Sequence, residues 1–249
     1  MSTQKFATNA LHAGHDTAQN GGTRAAPIYQ STAYVFNNSD HAASLFALAE
    51  AGNIYTRINN PTNDILEQRL AALEGGIAAV VTASGTSAIA TSLLTLLKAG
   101  DHIVASSSLY GGTYNLLSVT LPRHGITTTF VDPSDAENFK NAAQENTRAF
   151  FIESLGNPKL DVLDIESISR EAKAYKVPLI VDNTVATPYL LNPIEHGANI
   201  VIHSLTKYIN GNGTALGGVI IDAGKFDWTK QPDKYPMLNE PDPSYHGIR

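Results

Sequence analysis

The sequence predicts an α/β protein whose mainly parallel, seven-stranded sheet is covered by helices. Two observations lead to this prediction. Short apolar runs alternate with helical patterns from about residue 60 onwards, and the runs rich in β-formers are apolar at successive positions. Strands that are apolar on both faces are typical of parallel sheets buried between layers of helices.

Length and composition are consistent with this fold and exclude several classes of protein. The chain has 249 residues, of which 43% are hydrophobic and 16% charged, so it can bury a core. A net charge of −6 without a basic block argues against a nucleic-acid partner. Without cysteine there are no disulfides and no cysteinyl metal ligands, and no metal site is expected. No signal peptide or membrane span is predicted, so the expected compartment is the cytoplasm.

The first segment of the chain differs from the rest. Residues 1–60 are rich in Asn, Thr, Gly and Ala and show little periodicity, which predicts an arm with one short helix near residues 40–50. The large domain is predicted to cover residues 61–249.

The large domain begins with a predicted helix, "NPTNDILEQRLAALEGG". Asn63 is the expected N-cap, and Gly75 and Gly76 end the helical pattern. The apolar side chains that fall on one face of this helix are Ile65, Leu66, Leu70 and Leu73.

Seven strands and four further helices follow. The predicted strands cover residues 78–84, 102–106, 127–132, 149–154, 177–183, 199–204 and 217–222. The predicted helices between them cover residues 86–100, 113–125, 135–145 and 165–176. The tail, "GKFDWTKQPDKYPMLNEPDPSYHGIR", is polar, proline-rich and aromatic, and it is predicted to be a long loop. Because a domain seldom ends inside a loop, the chain is expected to be a fragment of a longer protein.

Candidate binding residues follow the ends of the predicted strands. In an open α/β sheet, ligands bind beyond the carboxyl ends of the strands, so polar side chains at those ends are expected to converge. The candidates at these ends are Ser84, Gly85, Thr86, Tyr110, Asn157, Asp182, Ser204, Thr206 and Lys207.

The stretch "ASGTSAI" opens the helix after the first strand. Gly85 allows a tight turn, and the free amides and dipole of a helix N-terminus favour an anion there. The alternative is an ordinary helix cap made by Ser84 or Thr86.

Lys207 lies between the apolar run "NIVIHS" and a glycine-rich stretch. Most lysines are solvated surface charges, and this alternative stays open. A lysine amine in apolar surroundings has a pKa that can fall, leaving a free amine able to form an imine with an aldehyde. The hydroxyls of Ser204 and Thr206 can donate to an anion beside it.

Asp182 and Tyr110 complete the constellation. Asp182 is either a turn cap or the partner of a cationic ring nitrogen, and Tyr110 is either a core side chain or a ring-stacking one. Phosphate donors, a stacking ring, a carboxylate and an imine-forming amine are together the pattern expected for pyridoxal phosphate, whose protonated ring acts as an electron sink.

These residues resemble a known family over the whole chain. The sequence is similar to the Cys/Met-metabolism enzymes that use pyridoxal phosphate (PLP), the cystathionine γ-synthase group of the aspartate-aminotransferase-like fold (PLP fold type I). The motifs that carry the resemblance are "YTRINNPT", "ASGTSAI", "SSLYGGTYN", "ESLGNP", "VDNTVATPYLLNP" and "HSLTKYINGNG". The last is the most specific, because it combines the lysine with its flanking hydroxyls and glycines.

The resemblance implies a role for each candidate. Lys207 would hold the cofactor covalently and then shuttle protons, and Asp182 would pair with the pyridinium nitrogen. Tyr110 would stack on the ring and assist proton transfer, while Asn157 would hydrogen-bond the phenolic oxygen. The residues implied to surround the phosphate are Ser84, Gly85, Thr86, Ser204 and Thr206. Thr86 stands where many relatives carry Met, which is harmless if only its backbone N–H is needed.

The resemblance also implies an assembly. Tyr55 and Arg57 would reach the cofactor phosphate of a neighbouring subunit, which explains an arm with little reason to fold alone. The implied assembly is a homotetramer built as a dimer of dimers. The resemblance also implies a smaller C-terminal domain that supplies the arginine for the substrate carboxylate, and this chain is expected to lack that domain.

The tail indicates which branch of the family the chain resembles most. It resembles an insertion of the branch that replaces acetate in O-acetylhomoserine with sulfide or a small thiol, giving homocysteine or methionine. The alternatives are a cystathionine γ-synthase or methionine γ-lyase activity within the same family, or a non-catalytic cofactor-binding fragment.

Overall fold

Seven strands form a single sheet in the computed structural model, which describes residues 5–248. The strands are β1 Ala78–Thr82, β2 His102–Ser106, β3 Thr127–Val131, β4 Thr147–Glu153, β5 Leu179–Asp182, β6 Ile200–Ser204 and β7 Gly218–Asp222. Their order across the sheet is β1-β7-β6-β5-β4-β2-β3. Strand β7 runs antiparallel to β1 and β6, and the remaining pairings are parallel. The predicted mainly parallel, seven-stranded sheet is confirmed.

Helices cover both faces of the sheet. They are α1 Phe6–His12, α2 Ser39–Phe46, α3 Pro61–Glu74, α4 Gly85–Leu96, α5 Gly111–Asn115, α6 Glu137–Ala142, α7 Ile165–Tyr175 and α8 Thr187–Leu190. Side chains of α3, α6 and α7 pack with Val181 in one apolar cluster, while those of α4 pack with Ile180 in a second. Because neighbouring strand residues point to opposite faces, the two clusters lie on opposite sides of the sheet. Every helix within residues 5–248 is too short or too polar to cross a bilayer.

The start of α3 differs from the prediction. Asn63 was the expected cap, but Asn60 takes that place: its side chain accepts a hydrogen bond from the Thr62 amide at 2.9 Å. Pro61 is the first helical residue, where a missing N–H costs nothing. Gly75 ends the helix with φ 77°, in the left-handed region that favours glycine.

The buried face of α3 is also rotated from the predicted one. Leu66 is 38% exposed and Leu73 is partly exposed. The buried residues of the helix are Ile65, Leu70, Ala71 and Glu74. A carboxylate therefore occupies a position on the buried face.

Three other predicted helices differ in shape or length. One of them, α6, covers Glu137–Ala142 rather than residues 135–145. Residues 113–125 were predicted as one helix, but α5 is followed by a π-helical turn at Leu116–Thr120 and a 3-10 turn at Leu121–His124. Pro122 lacks the N–H that a regular helix needs there. Helix α4 ends at Leu96 rather than at Gly100.

The arm is attached to the body of the domain through α3. Arg69 Nε donates to the carbonyl of Ala13 at 2.8 Å, and the Tyr29 amide donates to Thr62 Oγ1 at 2.9 Å. The predicted short helix near residues 40–50 corresponds to α2, whereas α1 was not predicted. Residues 1–4 of the predicted arm lie outside the described residues.

The tail is a loop, as predicted, but it is anchored. Residues 224–248 contain 3-10 turns and no strand or α-helix in the part that the structure describes. Tyr235 is 1% exposed, and its hydroxyl donates to the carbonyl of Arg148 at 2.7 Å. Lys225 Nζ donates to the carbonyl of Ile194 at 3.0 Å. Arg148 lies near the start of β4. The tail therefore packs at the amino edge of the sheet, where the parallel strands begin.

Candidate active site

A cavity of about 750 Å³ opens at the carboxyl ends of the parallel strands. Residues from the loops that follow β1, β2, β4, β5 and β6 line it. The predicted site residues that line this cavity are Ser84, Gly85, Thr86, Tyr110, Asn157, Asp182, Ser204, Thr206 and Lys207. The topology of the sheet therefore brings together residues that are more than one hundred positions apart in the chain.

The N-terminus of α4 forms one wall of the cavity. Ser84 caps the helix: its Oγ accepts from the Ser87 amide at 3.1 Å, and Ser87 Oγ accepts from the Ser84 amide at 2.8 Å. The ordinary cap predicted as the alternative is thus present. The amides of Gly85 and Thr86 have no acceptor among the described residues, so they remain available to an anion.

Gly85 permits α4 to approach β6 closely. A Cβ atom added at residue 85 would lie 2.6 Å from the Cβ of Ser204, which is closer than side-chain atoms can pack. The helix N-terminus and the hydroxyl-bearing end of β6 are in contact for this reason. The close approach places the free amides beside Ser204, which also lines the cavity.

Lys207 lies in the turn that follows β6. Its amide donates to the carbonyl of Ser204 at 3.3 Å, and its carbonyl accepts from the Gly211 amide at 2.8 Å. Gly211 has φ 77°, so glycine is favoured at this turn. The sequence predicts apolar surroundings for the amine, but Lys207 is exposed and lines the cavity.

Asp182 ends β5 and is held by the residue two positions on. Its Oδ1 accepts from the amide of Thr184 at 3.0 Å and from the Thr184 hydroxyl at 2.5 Å. The same hydroxyl accepts from the Ser204 amide at 2.8 Å. Burial raises the pKa of Asp182, and the two hydrogen bonds from Thr184 act in the opposite direction. The predicted turn cap is present, and the carboxylate also faces the cavity.

Glu153 lines the cavity, although no role is predicted for it from the sequence. Its Oε1 accepts from the Tyr110 amide at 2.7 Å and its Oε2 from the Asn157 amide at 3.2 Å. Burial, followed by the negative charge of Asp182, raises the pKa of Glu153 to about 8. A signal was available, because Glu153 ends an apolar strand just as Asp182 does.

The loops that carry Tyr110 and Asn157 are fixed through this one carboxyl group. Tyr110 is 50% exposed, and its ring lies over Gly112, where an added Cβ would come within 2.5 Å of the ring. The exposed ring contradicts the alternative of a core side chain and leaves the aromatic face open to the cavity.

Tyr55 and Arg57 lie in the arm, and neither lines the cavity of this chain. The Arg57 guanidinium carbon is 5.7 Å from the centre of the Tyr55 ring. Tyr55 forms an isolated antiparallel bridge with Ala33. Their implied role toward a neighbouring subunit therefore stays a prediction.

The arrangement suits a small anionic ligand with a reactive carbonyl. The free amides of α4 can bind the anion, the amine of Lys207 can react with the carbonyl, and the carboxylate of Asp182 can hold a cationic ring. These three functions lie around one cavity.

Comparisons with known proteins agree with this chemistry. The profile of the family described as Cys/Met metabolism PLP-dependent enzymes matches residues 7–241. An O-acetyl-L-homoserine sulfhydrylase from Leptospira meyeri is 58% identical over 97% of this chain and 54% of its own length. A homocysteine synthase from Schizosaccharomyces pombe is 53% identical over 100% of this chain and 58% of its own length.

A solved structure gives the same result for the fold. The crystal structure of a Campylobacter jejuni protein, described as an O-acetylhomoserine (thiol)-lyase with a pyridoxyl-lysine monophosphate, has a TM-score of 0.94. It is 45% identical, and the match covers 99% of this chain and 61% of that one. The chain thus spans little more than half the length of the curated relatives it matches.

Proposed function

The chain belongs to the Cys/Met-metabolism PLP-dependent enzyme family, and from that premise we propose that it is the cofactor-binding part of an O-acetylhomoserine sulfhydrylase. The proposed reaction replaces acetate at the γ-carbon of O-acetylhomoserine with sulfide or methanethiol, and so makes homocysteine or methionine in the cytoplasm. The observation that carries the proposal is that Lys207, Asp182 and the N-terminus of α4 line one cavity. The relatives named as sulfhydrylase and homocysteine synthase support it.

The residues present fit the phosphate of pyridoxal 5′-phosphate. Two helix amides without a protein acceptor, those of Gly85 and Thr86, point to an anion at this position. The hydroxyl of Ser204 also faces the cavity, whereas the Thr206 hydroxyl is within 3.3 Å of the Gly217 backbone. The proposed phosphate contacts are Ser84, Gly85, Thr86, Ser204 and Thr206.

Three further residues that line the cavity would suit the ring of the cofactor. Asp182 would hold the ring nitrogen in its protonated form, and Tyr110 would lie against the face of the ring. Asn157 would donate to the ring oxygen. These contacts use side chains whose backbone positions are fixed by Thr184 and Glu153.

When bound, the cofactor supplies an electron sink for negative charge at the α-carbon of the amino acid. The chain's own residues would handle the protons. The amine Nζ of Lys207 would accept the proton from the α-carbon and deliver it elsewhere on the substrate, since it reaches the cavity and is not tied to a carboxylate within residues 5–248. The Tyr110 hydroxyl would assist this transfer.

We also propose that the arm, residues 1–60, completes the site of a neighbouring subunit in a homotetramer built as a dimer of dimers. Tyr55 and Arg57 would contact the phosphate bound by the large domain, residues 61–249, of that subunit. The arm carries large apolar side chains that are left exposed in the single chain, with Ile28 85% and Val35 96% exposed. An assembly that buries them supports the proposal.

The proposal is tested by incubating the purified protein with pyridoxal 5′-phosphate and recording its visible absorbance before any assay. In the full-length enzyme of which this chain is the proposed part, homocysteine should then form from O-acetylhomoserine and sulfide, faster than any product from O-succinylhomoserine or methionine. Preference for O-succinylhomoserine with cysteine would favour a γ-synthase instead, and preference for methionine a γ-lyase. Bound cofactor without turnover would favour the non-catalytic alternative, and no bound cofactor would overturn the whole proposal.

A further inference from the structure

A buried polar cluster lies behind the site, on the opposite face of the sheet from Asp182. Glu74 ends α3, and its Oε1 lies 2.6 Å from Nε2 of His203 on β6 and 3.0 Å from Nδ2 of Asn183. These side chains are at most 1% exposed. Asp182 pairs in register with Ile202, so His203, the next residue of β6, points to the other face.

The proton positions in this cluster follow from its partners. A proton lies between Nε2 of His203 and Oε1 of Glu74, because a hydrogen bond of 2.6 Å needs a donor on one side. Nδ1 of His203 is buried and has no hydrogen-bond partner among residues 5–248. An unpaired buried polar atom is unfavourable, and so this imidazole needs a reason beyond packing.

The cluster is connected to Asp182 through the two residues that follow it. The Asn183 side chain donates to Glu74, and its amide donates to the carbonyl of Ile202 at 2.8 Å. Thr184 in turn holds Asp182 and receives the Ser204 amide. The turn that carries the carboxylate is thus fixed from behind by Glu74 and from the cavity side by Thr184.

His203 also acts on Asp182 electrostatically. Positive charge on His203 lowers the pKa of Asp182 and so opposes the effect of burial. A carboxylate that must face a cationic ring has to stay ionised although it is buried, and an imidazole behind the strand favours that state.

We propose that Glu74 and His203 are positioning residues for Asp182: they hold the turn after β5 in place, so that its carboxyl group is presented toward a cationic ring nitrogen. The proposal rests on the proposed function, because that function identifies the ring as the partner of Asp182. Neither residue lines the cavity.

The test compares His203→Gln with His102→Gln. His102 is also buried, at 1% exposure, and is hydrogen-bonded to Thr147 and Thr129 at 2.8 and 2.9 Å, but it lies at the amino end of β2, away from the cavity. Both variants lose a buried imidazole, so general destabilisation affects both. The affinity for pyridoxal 5′-phosphate and the absorbance spectrum of the bound cofactor are measured for each.

The expected result is that His203→Gln binds the cofactor about tenfold more weakly, a typical effect of removing a group that orients a binding residue. Its absorbance spectrum should also change, since the charge at the ring nitrogen changes. His102→Gln should match the wild type in both measurements. Glu74→Gln, which keeps the size of the side chain, should repeat the effect of His203→Gln in the same direction.

Equal affinity and spectrum in His203→Gln and His102→Gln would overturn the inference, whereas a wild type that binds no cofactor would overturn the proposed function instead. If the His203 and Glu74 variants do not fold, the ring 15N signals of the wild type decide. Addition of pyridoxal 5′-phosphate should shift the His203 signal and leave the His102 signal, assigned from its variant, in place. No shift in either signal would contradict the proposal.

Discussion

Glu153 and Asp182 face each other in register across β4 and β5, and both carboxyl groups line the cavity. Two negative charges this close are unfavourable, and burial adds to the cost. Burial and the negative charge of Asp182 raise the pKa of Glu153 to about 8, whereas the hydrogen bonds from Thr184 oppose the rise in the pKa of Asp182.

This relationship predicts how stability depends on pH in the cofactor-free protein. The pKa of Glu153 is raised from 4.5 to about 8 on folding, so its contribution is fully present below pH 4.5 and is lost as pH rises to about 8. Glu153→Gln should remove a slope of at most about 1.4 kcal/mol per pH unit over this range. Urea unfolding at several pH values measures the slope. An unchanged slope in the variant would show that Glu153 is ionised throughout.

Gly85 predicts a steric effect with a matched control. Gly85→Ala would place a Cβ 2.6 Å from the Ser204 Cβ, and should destabilise the fold by about 1–3 kcal/mol and weaken cofactor binding. Gly111 also begins a helix after a strand, but a Cβ there meets nothing within 4 Å. Gly111→Ala should therefore be neutral in thermal melting and in cofactor titration. Equal behaviour of the two variants would refute the close-approach argument.

Asp182→Asn tests the charge at the ring nitrogen. Asparagine keeps an acceptor for Thr184, so the turn should survive, but the charge is lost. Cofactor affinity should fall roughly 10- to 100-fold. This fall corresponds to the loss of about 1.5–3 kcal/mol, the contribution expected for a hydrogen bond to a charged group.

Asp227 provides the control, because it accepts from the amide and hydroxyl of Thr229 just as Asp182 does from Thr184. It lies in the tail, so Asp227→Asn should leave the affinity unchanged in the same titration. A similar loss in both variants would mean that local turn geometry, and not the charge, determines binding.

The tail predicts an effect on stability without an effect on the site. Tyr235→Phe removes the hydrogen bond to the Arg148 carbonyl and should lower the free energy of unfolding by about 1 kcal/mol. Tyr245 is 53% exposed in the same tail, and Tyr245→Phe should change nothing. Thermal melting and cofactor titration check both. Weaker cofactor binding in Tyr235→Phe would connect the tail to the cavity and contradict its placement at the amino edge.

The strands were predictable from the sequence because a parallel strand buried on both faces must be apolar at successive positions, as β4 and β6 are. The edge of the sheet that carries the cavity followed from this, since polar residues after such strands converge there. The prediction of a single helix over residues 113–125 was wrong, because helix propensity does not show where the turns widen or tighten around Pro122.

Other features need three-dimensional information. The raised pKa of Glu153 depends in part on its pairing with Asp182 on the neighbouring strand. Pairing between strands that are distant in the chain cannot be read from either segment alone. The exposure of Lys207 depends on how the turn to Gly211 folds back. A role for Tyr55 in a neighbouring subunit concerns a second chain, which one sequence does not position.

The most direct test of the central claim is to add pyridoxal 5′-phosphate, reduce the protein with borohydride, and locate the modified residue by peptide mass spectrometry. We expect a pyridoxyl group on Lys207, and its loss in Lys207→Ala. Modification of a different lysine, or of none, would contradict it.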